Sequence, residues 1–233
     1  MRALEQYPGV PQRPVGYVPG MSSGPRALAA ARRAAATCTR CPLFERATQT
    51  VFGEGKTGGL MLVGEQPGDI EDRAGKPFVG PAGRLLRELL GEAAIAEDEV
   101  YVTNAVKHFK WRPSGKRRIH DKPNWTEIKA CGHWLAIELE AVRPTLVLCL
   151  GATAAQALLG KSARVGSLRG RRVELESGVP ALVTMHPSAV LRADEGREQR
   201  RAELLSDLEL ARDTLAELSA AARGSVGRAR SSA

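Results

Sequence analysis

The sequence predicts a three-layer α/β/α sandwich with a mostly parallel central sheet. Short apolar runs suited to buried strands alternate along the chain with longer amphipathic stretches. The 233 residues are 43% hydrophobic, enough for one sizeable core. Polar stretches follow three of the apolar runs, where open α/β sheets place their ligands.

The elements follow in order. Residues 1–25 are rich in Pro and Gly and are expected to lack a fixed fold. A single domain is expected over 26–218. It opens with "ALAAARRAAAT", a helix running into Cys38. "LMLVGE" reads as a buried strand, and "GRLLRELLGEAA" as a helix with Leu85, Leu86, Leu89 and Leu90 on helical spacing. "VYVTNAV" is a second strand. "SGKRRIHDKPN", bracketed by Gly115 and Pro123, reads as a basic loop. "TEIKACGHWLAIELEAV" is a long helix stopped at Arg143-Pro144. "TLVLCLG" is a third strand, and Gly160 closes the helix "ATAAQALLG". "RRVELE" and "ALVTM" are two more strands, and a long helix covers 194–218. The basic remainder, 219–233, is expected to be a disordered tail.

No run of eighteen apolar residues occurs, and the N-terminal stretch lacks a signal-peptide core, so a cytoplasmic, monomeric protein is the expectation. Basic residues outnumber acidic ones 34 to 26, a formal +8. The excess concentrates between Ala105 and Pro123. There Lys107, Lys110, Arg112, Lys116, Arg117, Arg118 and Lys122 face the single acid Asp121, with Phe109 and Trp111 interleaved. That composition suits a nucleic-acid surface; a solvated basic face would look the same.

Cys38 and Cys41 form a C-x2-C pair, Cys131 lies on the long helix, and Cys149 lies in the third strand. The pattern suits an iron–sulfur cluster, zinc or structural thiols, and the absence of a second close pair argues against a zinc ribbon. Cys149 also reads as a small apolar core residue.

"GEQPGDIED", "TNAVKHF" and "HPSAVL" each follow a strand and should meet in one cleft. The stretch "GEQPGDIEDRAGKPFVGPAGRLL" resembles, without a gap, a signature of the family-four, iron–sulfur uracil-DNA glycosylases. "VTNAVKHF", "HPSAVL" and the order of the cysteines agree, so the resemblance spans roughly residues 35–212. Two features depart from it. Family-four enzymes commonly carry alanine where Gln66 stands, and they lack "KRRIH". Both features are similar to the UdgX group of the superfamily, whose loop histidine becomes covalently joined to DNA after uracil is released.

The resemblance implies uracil-containing DNA as partner and a 4Fe-4S cluster held by Cys38, Cys41, Cys131 and Cys149. It implies that Phe78 stacks on a flipped uracil and that Asn104 reads its edge, accepting from N3–H and donating to O4. Gly64 belongs to the same loop. It implies that His186 and loop N–H groups stabilise charge at uracil O2, and that Glu65 or Asp69 faces the sugar cation, with Gln66 arranging the loop. Lys107, Lys116, Arg117, Arg118 and Ser188 are the expected DNA contacts. His120 is the expected nucleophile at C1′, since a neutral imidazole held over the sugar outcompetes water by proximity. Two alternatives stay open: a conventional glycosylase using water, with "KRRIH" as a clamp, and a redox-sensing DNA-binding module without excision.

Overall fold

The computed structural model describes residues 24–230, with side chains to residue 223. The expectation for 1–23 and for the last three residues lies outside the described residues. The chain runs α1 (Pro25–Ala35), β1 (Glu54–Gly55), β2 (Leu60–Gly64), α2 (Asp69–Ala74), α3 (Pro81–Glu92) and β3 (Val100–Asn104). It continues β4 (Trp111–Ser114), β5 (Arg117–His120), α4 (Trp125–Val142), β6 (Leu146–Leu150) and α5 (Ala152–Leu159). The remainder is α6 (Val165–Leu168), β7 (Val173–Glu174), β8 (Pro180–Thr184), α7 (Pro187–Leu191) and α8 (Arg197–Arg230).

The main sheet has the order β1-β3-β2-β6-β8-β7. Its four inner strands are parallel, and the short edge strands β1 and β7 pair antiparallel. Alternating residues of each inner strand serve opposite faces. Leu62, Leu148 and Leu182 pack with α3 and α8 through Leu86, Leu89, Leu204 and Leu208. Met61, Val63, Val147 and Val183 pack on the other side with Leu135 of α4 and Ala154 of α5. Strands buried on both faces must be apolar throughout, which is why "LMLVG" and "LVLCL" show no alternation. Each fully buried leucine contributes roughly 1.5–3 kcal/mol.

The long predicted helix is α4. Asn124 accepts from Glu127 N–H and Glu127 accepts from Asn124 N–H, a capping box that fixes its start. Arg143, with φ 49°, ends it before Pro144.

Three expectations change. "SGKRRIHDKPN" is not a loop throughout: β4 and β5 form a separate antiparallel hairpin, with Trp111 opposite His120 and Ser114 opposite Arg117. Gly115, with φ 57°, is the first central residue of its two-residue turn, where twist-compatible turns need positive φ. "RRVELE" keeps only Val173–Glu174 as strand. The last helix runs to Arg230, past the expected boundary at 218.

Candidate active site

The parallel strands β3 and β2 end side by side, with Gly64 registered against Asn104, and β8 ends on the same edge one strand further along, across β6. Gly64, Asn104 and His186 reach the candidate site from these strand ends, and Phe78 reaches it from the segment between α2 and α3. The Asn104 side chain lies at the end of β3 and is buried. A Cβ on Gly64 would come within 2.4 Å of Asn104 Oδ1 and 2.6 Å of Phe78 Cζ, so only glycine leaves room between them. The Phe78 ring stacks near His186, with centroids 6.0 Å apart at 28°.

Phe78 is held in a costly conformation. Its φ is 55°, a region non-glycine residues rarely adopt and keep only when their surroundings enforce it. Arg87 donates to its carbonyl at 2.9 Å. The buried Glu71 carboxylate accepts from Gly80 N–H at 2.9 Å and Gly68 N–H at 3.1 Å, tying the Phe78 loop to the "GEQPGD" loop.

His186 follows β8 at the start of α7. Its Nδ1 accepts from Ser188 N–H at 3.1 Å and lies 2.8 Å from Ser188 Oγ. With Nδ1 accepting, Nε2 carries the proton and is a donor. Burial pushes its pKa down to about 4, so the ring stays neutral. Ser188, expected on the DNA, orients His186 through these two contacts.

Glu65 closes one side of the site. His120 Nε2 lies 3.1 Å from Glu65 Oε1, and Thr153 Oγ1 donates to Glu65 Oε2. Burial raises the Glu65 pKa, but the bonds from His120 and Thr153 outweigh it and hold the carboxyl below its usual range. The His120 side chain is about half exposed (47%), beside the buried Phe109 ring at 6.2 Å.

The hairpin carrying His120 is fastened at both ends. Gln66 Nε2 donates to the carbonyls of Lys110 (3.1 Å) and Asp121 (3.0 Å), and Gln66 Oε1 accepts from Lys110 N–H at 3.0 Å. Those residues are the two feet of the hairpin. Arg118 bonds the carboxylates of Asp69 and, at 2.6 Å, Asp72, which is fully buried. Asp69 is therefore bound to Arg118 and Arg73, which hold its carboxyl low against partial burial. Of the two candidate carboxylates, Glu65 is the one beside His120. Arg118 is turned inward as an anchor, whereas Lys116 and Arg117 are exposed at the hairpin tip.

Lys107 overturns its expectation as a DNA contact: its side chain is fully buried and paired with the equally buried Glu138. Nothing in a basic segment marks one lysine as interior.

The four cysteines do not come together. Cys41 and Cys131, both free thiols, share a hydrogen bond that lowers the Cys41 pKa, with His108 adding to the effect, and that together with burial raises the pKa of Cys131. Cys38 accepts from Trp134 Nε1 at 3.1 Å, in a patch adjoining α4. Cys149 stands apart, paired in the sheet with Val63 and Val183, and burial pushes its pKa up to about 12. Among the described residues no three His, Cys, Asp or Glu groups stand in a metal-holding arrangement. One polar atom beside Cys41 is unsatisfied: His108 Nδ1 is buried without a partner, while its Nε2 lies 3.0 Å from Thr50 Oγ1.

Thr153, Glu71, Asp72, Glu138 and His108 were not expected at the site. Thr153 sits where "CLGAT" leaves β6, a strand end followed by small residues that carry no charge. The others are polar residues whose burial only the fold reveals.

Among the described residues, no helix is long and apolar enough to cross a membrane. Residues 52–209 match the family model described as "Uracil DNA glycosylase superfamily". A type-4 uracil-DNA glycosylase of Thermotoga maritima is 40% identical over 177 residues, 75% of this chain and 88% of that protein. One of Archaeoglobus fulgidus is 35% identical over 171 residues, 70% of this chain and 82% of that protein. A type-5 enzyme of Pyrobaculum aerophilum is 33% identical over 154 residues, covering 59% and 64%.

Proposed function

Because the chain belongs to the uracil-DNA glycosylase superfamily, we propose that it excises uracil from DNA and then becomes joined to the abasic sugar through His120. The target nucleotide leaves the stack and its base enters between Phe78 and the Gly64–Asn104 wall. Asn104 pairs with the uracil edge; cytosine inverts the donor and acceptor there, at a cost of about 1–3 kcal/mol per mispaired buried group.

Cleavage of the bond between C1′ and uracil N1 leaves the electron pair on uracil. The neutral His186 donates from Nε2 to the charge developing at O2. Glu65, ionised near neutral pH, faces the sugar cation. A lone pair of the His120 imidazole then forms the new bond to C1′. The ring's N–H proton passes to Glu65 and from there to the departing uracil or to solvent. The N-linked product has no good leaving group, so the reaction ends after one turnover.

The observation that carries this reading is the 3.1 Å contact of His120 with Glu65, on a hairpin fastened by Gln66 and Arg118. Turnover with water would leave the hairpin a DNA clamp, a role its exposed Lys116 and Arg117 also suit. A denaturing gel with a single-uracil oligonucleotide separates the readings. A band of protein plus DNA that requires both uracil and His120, and is lost in His120→Ala, is expected. Multiple-turnover release without such a band would sink the covalent reading.

We also propose a 4Fe-4S cluster held by Cys38, Cys41, Cys131 and His108, with Cys149 left in the core. The donor chemistry fits: Cys41 meets Cys131 of α4, Cys38 bonds Trp134 one turn further along that helix, and His108 offers an unsatisfied nitrogen beside Cys41. Bound there, the cluster would supply a structural tie between the Cys38–Cys41 segment and α4, not a step in cleavage. Cys149→Ser is expected to retain iron and visible absorbance, and Cys131→Ser and His108→Ala to lose them. Iron loss in Cys149→Ser would reinstate the four-cysteine set.

A further inference from the structure

The buried pair beneath the pocket suggests a role beyond stability. Lys107 and Glu138 are both fully buried. The Lys107 ammonium donates to Thr103 Oγ1 at 2.7 Å, to the Asn104 carbonyl at 2.6 Å and to Glu138 Oε2. Glu138 also accepts from Gly53 N–H at 2.8 Å, from the Tyr101 hydroxyl at 3.0 Å and from Thr103 Oγ1 at 3.0 Å. A buried charge is tolerated when paired and fully hydrogen-bonded, and this one is.

One of these bonds does something packing does not. The Asn104 carbonyl and the Ala105 N–H belong to one peptide plane. Lys107 holds its oxygen, and the Gly64 carbonyl accepts from its N–H at 2.9 Å. Clamped from both ends, that plane fixes the backbone torsion that aims the Asn104 Cα–Cβ bond into the pocket. The strands here are already joined by apolar packing around Tyr101 and Leu135.

We infer that Lys107 is a positioning residue for Asn104, holding it in register with the uracil edge; Thr103 and the Asn104 carbonyl place the ammonium, and Glu138 is the counter-ion that offsets the cost of burying it. The inference rests on reading Asn104 as the residue that meets uracil.

The test compares Lys107→Met/Glu138→Gln, Glu138→Gln and Asn104→Ala with wild-type full-length protein. The double variant leaves no unpaired charge and keeps an acceptor for Gly53. Three quantities are read: thermal melting, the single-turnover rate of uracil release at saturating DNA, and affinity for the same oligonucleotide carrying a tetrahydrofuran abasic analogue. The double variant is expected to fold and to bind abasic DNA as wild type does. Its release rate should fall roughly tenfold or more toward that of Asn104→Ala, as sub-ångström misplacement of a recognition group does. Glu138→Gln should melt lower but release uracil near the wild-type rate.

Release at the wild-type rate in the double variant would overturn the inference. So would an equal loss of abasic-DNA affinity, or a selective loss already present in Glu138→Gln. Failure of the double variant to fold while Glu138→Gln folds would also overturn it, because the lysine would then hold the domain rather than Asn104. An unaffected Asn104→Ala would instead remove the reading of Asn104 beneath it.

Discussion

The proposed base site and the β4–β5 hairpin lie side by side but are held by different forces. Gly64, Asn104 and His186 stand at the ends of strands whose preceding residues are buried on both faces of the sheet. Their positions are set by hydrophobic packing, which is non-directional and collectively large. His120 sits on a two-stranded hairpin outside that sheet, and an isolated hairpin is marginal in water. Its position depends on a few polar bonds from Gln66 and Arg118. The proposed base-recognition groups are thus built into the fold, whereas the proposed nucleophile rides on an added arm. The two functions should be separable by mutation.

The largest expected effect falls on the pocket. His186→Ala removes the neutral donor at uracil O2 and should lower the rate of uracil release by about 10²–10³. Adduct formation should fall in step, since both steps require the sugar cation. Single-turnover assays of free uracil and of the protein–DNA band measure the two. If His186→Ala releases uracil normally, the pocket is not where leaving-group charge is stabilised.

A smaller and selective effect is expected at the hairpin feet. Gln66→Ala deletes three hydrogen bonds to Lys110 and Asp121 and should loosen the arm by on the order of 1–3 kcal/mol. The rate of adduct formation should drop roughly tenfold through poorer placement of His120, while uracil release changes little. The ratio of adduct to free uracil after one turnover is the quantity to follow. Equal losses of both products would mean that the hairpin serves excision itself, and the contrast between the two regions would disappear.

The difference between the regions also explains what the sequence made legible. Continuous apolar runs announced the inner strands, and the polar residues directly after them, Glu65, Asn104 and His186, were placed by topology together with motif resemblance. Phe78 followed from the same motif, although its left-handed backbone did not. The hairpin gave no such signal. "WRPS" and "RRIH" carry too few alternating apolar residues to read as strands, because both are largely exposed. Polar partnerships were the least legible. Lys107 looked like its basic neighbours, His108 looked incidental, and Cys149 looked like a ligand until the sheet placed it between Val63 and Val183. Pairing across long sequence separation has no local signature.

The smallest expected effect tests how enclosed the pocket is. Burial holds His186 neutral down to about pH 4, whereas an unfolded histidine takes up a proton near pH 6.5. Between these values the unfolded chain binds a proton that the folded chain refuses, so stability falls as the pH drops through this window. The slope from this one group is at most about 1.4 kcal/mol per pH unit. His133 is pushed the same way by its own burial and adds a background that both proteins share. His186→Asn removes only the pocket's share. Denaturant unfolding of wild type and His186→Asn at pH 7, 6 and 5 should therefore show the wild type losing stability faster on acidification. Parallel pH profiles would mean that His186 is open to water, and that the pocket tightens around it only when DNA binds.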